Sequence, residues 1–167
     1  MVDAFAIDVM HMMDEGVARW FLSQIVEGRG RLRLTAAEIK EIDRRWIHII
    51  VPGHESRSTR SISHFKMQAH ELRFFLQHGA PYTTKDIVPE KFHSILYHAS
   101  SIAWLATRDV ITEVDLSRIE RHSDLFLRKF QRFFGEANMK FSIHLMQHVA
   151  HTIQLHVPLQ NISCYGK

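Results

Sequence analysis

The chain has 167 residues, of which 46% are hydrophobic and 23% are charged, a balance that predicts one soluble globular domain and argues against disorder. The 21 Lys and Arg residues exceed the 18 Asp and Glu residues by only three, so the charge permits a nucleic-acid partner without requiring one. A single cysteine, Cys164, excludes an internal disulfide framework, and no apolar run reaches the roughly 18 residues that a membrane span needs.

Apolar residues recur at helical spacing along most of the chain, and this pattern predicts six helices. Before them, the short apolar run from Ala4 to Ile7 is at most a strand end. A first helix is predicted from about Met13 to Glu27. A second begins after Thr35, whose spacing to Glu38 is that of a capping box, and Pro52-Gly53 ends it.

Turn residues mark the next three helices. The third is predicted to begin near His64 and to stop at Gly79-Ala80-Pro81. The fourth begins at Pro89, because proline is favoured in a first turn. The fifth follows Thr112 and ends at Gly135. The three tryptophans fit core packing better than base stacking, since they recur with the apolar residues of these helices: Trp20, Trp46 and Trp104.

The last predicted helix, from Asn138 to Leu159, carries three histidines on one side, His144, His148 and His151. Their neighbours are apolar, so the helix would carry these imidazoles into or beside the core, where each ring nitrogen needs a partner. Asp8 and His11, near the N-terminus, are the expected partners. We therefore expect residues 1–167 to form a single all-α domain, a bundle-like array of about six helices.

Three sequence blocks are distributed across nearly the whole chain. They are Asp8-Val9-Met10-His11 with Glu15-Gly16-Val17, then Arg57 to Arg60 with Lys66 to Leu76, and finally Asn138 to His148 with the turn His156-Val157-Pro158-Leu159. In order and rough spacing this set resembles the transposases of the CACTA (En/Spm) superfamily and the proteins derived from them. We call these segments the first, second and third block.

The resemblance implies a parent enzyme of the RNase H-like DDE class, in which two aspartates and one glutamate hold two Mg²⁺ ions for phosphodiester hydrolysis and strand transfer. By the same resemblance, this chain corresponds to the helical insertion of that enzyme and lacks the three carboxylates. We therefore expect no nuclease or transposase activity from the chain alone, and Mg²⁺ only in the complete parent enzyme. DNA and other subunits are the implied partners, and an intracellular, nuclear location is expected.

A structural zinc site is the first predicted site. Its ligands would be Asp8, His11, His144 and His148, because one carboxylate and three imidazoles satisfy tetrahedral zinc and an i, i+4 histidine pair presents two ligands from one helix face. Such a site would clamp the two ends of the insertion together. The alternative is a metal-free cluster, in which Asp8 caps a helix and the histidines form ordinary hydrogen bonds.

A basic segment is the second predicted site. Its members are Arg57, Arg60, Lys66 and Arg73, which lie in a polar loop and the helix that follows it, an arrangement that can track a DNA backbone. Solvated surface charge is the alternative explanation. The sequence thus supports two functions: a transposase-derived, DNA-associated structural domain, or a free-standing helical module that binds a protein partner or a metal.

Overall fold

In a computed structural model, the structure describes residue 8 and residues 10–27, 32–49, 60–64 and 66–155. Within these residues the chain forms six helices and contains no strand, which confirms the predicted all-α class. The run from Ala4 to Ile7, predicted as a strand end, lies outside the described residues, as does the turn from His156 to Leu159.

Three of the six helices are interrupted by short segments of different pitch. α1 combines a π-helical segment, Met10–Ala18, with Arg19–Glu27; α2 is Ala36–Ile47; α3 combines Ala69–Phe74, the π-helical Phe75–Gly79 and Ala80–Thr84; α4 is Glu90–Ala106; α5 is Glu113–Phe134; and α6 combines Phe141–Leu145, the 3₁₀ segment Met146–His148 and Val149–Leu155. Short 3₁₀ turns occur at Ile62–His64 and Glu136–Asn138.

Local capping chemistry sets several helix boundaries where the sequence predicts them. Thr35 precedes α2, and its hydroxyl accepts a hydrogen bond from the Glu38 amide at 3.2 Å, while the Glu38 carboxylate accepts one from the Thr35 amide at 2.7 Å. Thr112 and Asp115 form the same reciprocal arrangement at the start of α5. Gly135 ends α5 with a φ of 85°, a conformation that side chains other than hydrogen disfavour.

The predicted boundaries of α3 are wrong at both ends. The helix begins at Ala69 rather than near His64, where a 3₁₀ turn is found instead, and it continues through Gly79 and Pro81 to Thr84. The π-helical segment allows this, because the Ala80 amide donates to the Phe75 carbonyl five residues earlier. Pro81 then stands in the first turn of the next α-helical segment, where a missing N–H is tolerated.

An aromatic core holds α1 against α4 and α5. Trp20 packs on Phe130 and Phe134 of α5, with ring centroids 4.8 and 4.6 Å apart, and Phe21 meets Phe92 of α4 at 5.7 Å. These edge and tilted contacts are the geometries that aromatic pairs prefer. Helix α1 therefore packs against the pair formed by α4 and α5.

A second aromatic contact joins α2 to α3. Trp46 is fully buried, packs edge-on against Phe75 at 5.3 Å and donates its indole N–H to the Arg60 carbonyl at 2.9 Å. Gly79 faces the same indole, because a Cβ atom there would lie 2.3 Å from the Trp46 ring. The missing side chain of Gly79 is therefore what lets α3 approach Trp46.

Gly79→Ala should lower the free energy of unfolding by about 1–3 kcal/mol, because an added methyl group overpacks a filled site. This loss opposes the gain of up to about 1 kcal/mol that alanine brings to a helix interior. Urea unfolding followed by circular dichroism measures the difference, with Ser117→Ala, at an exposed position of α5, as the control. Equal midpoints for the Gly79→Ala variant and the wild type would contradict the close packing of Trp46.

Candidate functional site

Asp8 and His11, two of the predicted zinc ligands, contact each other at the start of α1. The Asp8 Oδ2 and His11 Nδ1 atoms are 2.8 Å apart, and the Asp8 carbonyl accepts from the Met12 amide at 2.9 Å. The hydrogen bond from Asp8, together with its negative charge, raises the pKa of His11 above its ordinary value of 6.5. Asp8 Oδ1 also accepts from the His11 amide at 3.4 Å, the kind of contact that a helix-capping aspartate makes.

His144 and His148, the other two predicted ligands, also lie together. Their ring centroids are 5.8 Å apart, and the Gln147 amide nitrogen is 2.7 Å from His144 Nε2 and 3.1 Å from His148 Nε2. His144 and His151 are exposed and His148 is half-buried, so the three rings lie beside the core and not inside it. The buried face of α6 is formed by other residues, namely Ile143, Met146, Val149, Ala150, Thr152 and Ile153.

The four predicted ligands are placed as two separate pairs. Among the described residues, no three His, Cys, Asp or Glu side chains are arranged to hold one metal ion. The zinc site built from all four residues therefore stays a prediction. The helices that carry the pairs do touch, because a Cβ atom on Gly16 of α1 would lie 2.6 Å from the Ser142 Cβ at the start of α6.

Two of the four residues of the predicted basic segment form intramolecular ion pairs. Arg60 Nε lies 3.3 Å from the Glu71 carboxylate, and Arg73 Nε lies 3.3 Å from the carboxylate of the buried Asp14. Lys66 is exposed, whereas Arg57 lies outside the described residues. Two of the four side chains thus stabilise the fold around α3, and Lys66 is left facing solvent.

A groove that the sequence did not predict lies between α3, α4 and α5. Its volume is about 510 Å³, and its lining includes Gln77 of α3, Tyr97, Ser101 and Trp104 of α4, and Arg118 and His122 of α5. We call it the Trp104 groove. Ligand pockets in proteins commonly have volumes of roughly 300–1,000 Å³, so this groove has the size of a small-molecule site.

Trp104 lies in the wall of this groove and not in the core. Its exposed fraction is 48%, so the prediction of core packing is wrong for this tryptophan, although it is confirmed for the buried Trp20 and Trp46. The core-facing side of α4 is already filled by smaller apolar residues, among them Ile95, Ala99 and Ile102. Trp104 occupies the opposite side, and the Arg108 guanidinium lies over its ring at 5.3 Å from the centroid.

Behind the groove, two histidines and a lysine form a chain of hydrogen bonds between α4 and α5. Lys129 Nζ is 2.7 Å from Ser94 Oγ and 2.9 Å from His98 Nε2, and His98 Nδ1 is 2.9 Å from His122 Nδ1. Burial, and after it the charge of Lys129, lowers the pKa of His98 from 6.5 to about 4. Burial, aided by Arg121, also lowers the pKa of His122.

The donors in this chain follow from the chemistry of lysine. An ammonium group has three hydrogens and no lone pair, so Lys129 must donate and His98 Nε2 must accept. Neutral His98 then carries its hydrogen on Nδ1 and donates it to His122 Nδ1. Neutral His122 is left with its hydrogen on Nε2, on a ring that lines the groove. A residue of the groove lining therefore carries an N–H donor whose position on the ring is fixed.

Sequence spacing could not reveal this cluster. His98 and His122 are 24 positions apart on two helices, and no short motif connects them. The local signal is the spacing of Tyr97 and Trp104, which are seven positions apart and thus share a helix face, and both are about half exposed.

No protein-family model, curated protein or solved structure matches the chain. In the described part of the chain, no helix combines the length and the apolar character that crossing a membrane requires. The resemblance to CACTA transposases therefore rests on the three sequence blocks alone.

The contact with Asp8 predicts a raised pKa for His11. Its pKa in the folded protein should exceed 6.5 and should fall in the variant Asp8→Asn, because the carboxylate that stabilises the imidazolium is removed. The stabilisation is fully present below the unfolded pKa and is lost as the pH rises through the raised folded value. A histidine NMR titration of both proteins measures the shift, and identical His11 pKa values would contradict the contact.

Proposed function

We propose that this chain is a transposase-derived helical domain that associates with duplex DNA in a structural role. The observation that supports the proposal is that the three sequence blocks of the resemblance meet at α1. Of the described residues, Met10, His11 and Glu15 to Val17 of the first block lie in α1, Ala69 to Leu76 of the second lie in α3, and Phe141 to His148 of the third form the start of α6. Segments far apart in the sequence are thus brought onto one helix.

The second block is attached to α1 by two polar contacts. Arg73 pairs with the buried carboxylate of Asp14 at 3.3 Å, and Arg19 of α1 donates to the Met67 carbonyl at 3.3 Å. Truncating one partner of a buried ion pair is costly, because it leaves the other charge without its counterion. Arg73 of the predicted DNA-contact set therefore acts in holding α3 on α1.

The third block is attached to α1 by a close approach of backbones. Gly16, in the first block, leaves no room for a side chain, since a Cβ atom there would meet Ser142 at 2.6 Å and the His11 carbonyl at 2.9 Å. Small residues at a helix crossing permit such an approach. The shape of the first block at its glycine thus matches the start of the third block. An insertion whose end packs against its own beginning requires such a match.

The proposed DNA contact is the segment that leads into α3. Arg60 stabilises it from the surface, because its guanidinium donates to the Lys66 carbonyl at 3.3 Å and lies 3.3 Å from the Glu71 carboxylate. Lys66 is exposed, as is Arg60, but the Arg60 guanidinium is engaged in these contacts. We assign the phosphate contacts to Lys66 and to Arg57, and the supporting role to Arg60 and Arg73.

The salt dependence of duplex binding tests this assignment. The double variant Arg57→Ala/Lys66→Ala should make the slope of log Kobs against log salt shallower by about 2, since each lost phosphate contact changes it by roughly 0.9. Fluorescence anisotropy of a labelled duplex between about 50 and 200 mM salt gives the slope.

The matched control is Lys40→Ala/Lys91→Ala, which removes the same charge from exposed positions on α2 and α4. Circular dichroism verifies that both double variants are folded. If the two double variants have the same slope, the assignment of Lys66 and Arg57 fails. If the wild-type chain binds no duplex, the proposed function itself fails.

A metal-binding module is the second candidate, and the His144–His148 pair favours it. The two rings lie on one solvent-facing side of α6, one turn apart, which is the spacing at which a helix offers two imidazole ligands to Zn²⁺. Such a pair leaves the other coordination positions to water or to a partner. The metal would then be held by α6 alone, without Asp8 and His11.

Added Zn²⁺ should raise the Tm of the wild-type chain, because a ligand that binds the folded state preferentially stabilises it. His148→Ala should lose most of that rise, whereas His78→Ala, which removes an exposed histidine of α3, should retain it. Asp8→Asn should retain it too, and its loss there would instead indicate the four-ligand zinc site. A Zn²⁺ response that His148→Ala leaves intact would exclude the pair as the site.

A further inference from the structure

We infer that the Trp104 groove binds a nucleoside phosphate, either free or as one nucleotide of a single strand. The groove lining combines aromatic rings, an exposed guanidinium and a neutral histidine with an N–H donor, and a nucleotide offers a complementary group to each of them. This site is separate from the duplex contact proposed at Lys66 and does not depend on it.

The aromatic wall is suited to a planar ring. Trp104 and Tyr97 expose 48% and 52% of their surfaces and stand two turns apart on the same side of α4. Arg108 lies over the Trp104 ring and is itself held by Asp115 at 2.9 Å, so this indole is oriented before a ligand arrives. Nucleobases stack on such rings regardless of sequence, because every base has a π-face.

The cation of the groove is Arg118. Its nearest carboxylate belongs to Asp115, at 3.9 Å, but both oxygens of that carboxylate already accept shorter hydrogen bonds, one from Arg108 and the other from Thr112. The Arg118 side chain is 62% exposed, so it can turn toward a phosphate with little loss. Guanidinium groups match phosphate oxygens with two parallel hydrogen bonds.

The N–H donor is His122. The chain from Lys129 through His98 fixes the hydrogen of His122 on Nε2, on a ring that lines the groove. A donor fixed in this way can bond a base carbonyl or ring nitrogen without competing for the phosphate that Arg118 attracts. The two groups stand one turn apart on α5, which places base recognition and phosphate recognition side by side.

Three ligands test the inference: a nucleoside 5′-monophosphate, a short single-stranded oligonucleotide and the duplex of the same sequence. Isothermal titration and Trp fluorescence measure binding to the wild type and to four variants. Trp104→Ala should weaken binding about 5- to 150-fold, the range for losing one stacked base. Arg118→Ala should weaken it as well, and His122→Phe should weaken it about 2- to 10-fold, since it keeps a ring and removes the donor.

The controls are Phe141→Ala, an exposed aromatic residue of α6, and Arg132→Ala, an exposed cation of α5, and both should bind as the wild type does. Tyr97→Ala is the fourth groove variant, and it replaces Trp104→Ala should that protein fail to fold. Binding of the monophosphate identifies a free nucleotide as a ligand, and binding of the single strand alone identifies a nucleotide within a chain.

The inference is overturned if neither the monophosphate nor the single strand binds, or if the groove variants bind them as tightly as the controls. The Arg57→Ala/Lys66→Ala variant should retain nucleotide binding in the groove. Loss of the groove site and loss of the duplex contact are therefore detected by different variants.

Discussion

The burial of Asp14 beside Arg73 is the constraint on which the arrangement of α1 and α3 depends. The Asp14 side chain is 3% exposed and the Arg73 side chain 24%, so the charge on α1 is withdrawn from water and must be met by α3 at a defined position. That requirement fixes the rotation of α1 about its axis. With Asp14 turned toward α3, Trp20 and Phe21 are directed toward the aromatic residues of α4 and α5.

Features of the fold that depend on neighbours in the sequence could be predicted, and those that depend on distant partners could not. The capping boxes at Thr35 and Thr112 form because each threonine meets an acid three residues later, a local geometry that any helix start provides. The passage of α3 through Gly79 and Pro81 is different. It depends on a π-helical turn and on the indole of Trp46, which arrives from another helix.

The same distinction applies to the candidate sites. Asp8 meets His11 because it stands three positions earlier, just before α1, and His144 meets His148 because the two are four positions apart on α6. Joining the two pairs into one metal site requires a relation between α1 and α6 that spacing cannot give. Likewise, nothing local to His98 indicates His122 or Lys129 as its neighbours, since the register of α4 on α5 decides that contact.

The core-packing expectation for Trp104 failed for an informative reason. α4 has more apolar residues than one helix face can bury, and the faces toward α1, α3 and α5 are filled by residues such as Phe92, Leu96 and Ile102. Helical spacing predicts that apolar residues share a face, but it does not say which of two faces the protein buries. Trp104, the largest ring of α4, therefore lies on the more exposed face.

The three tryptophans consequently differ in their optical environment. Trp46 and Trp20 are enclosed by other rings, whereas Trp104 stands beside a guanidinium with half of its surface in water. Steady-state emission should therefore contain a blue-shifted part that iodide cannot reach and a red-shifted part that it quenches. The chain carries, without any label, a chromophore that reports on one face of α4 while two others report on the integrity of the interior.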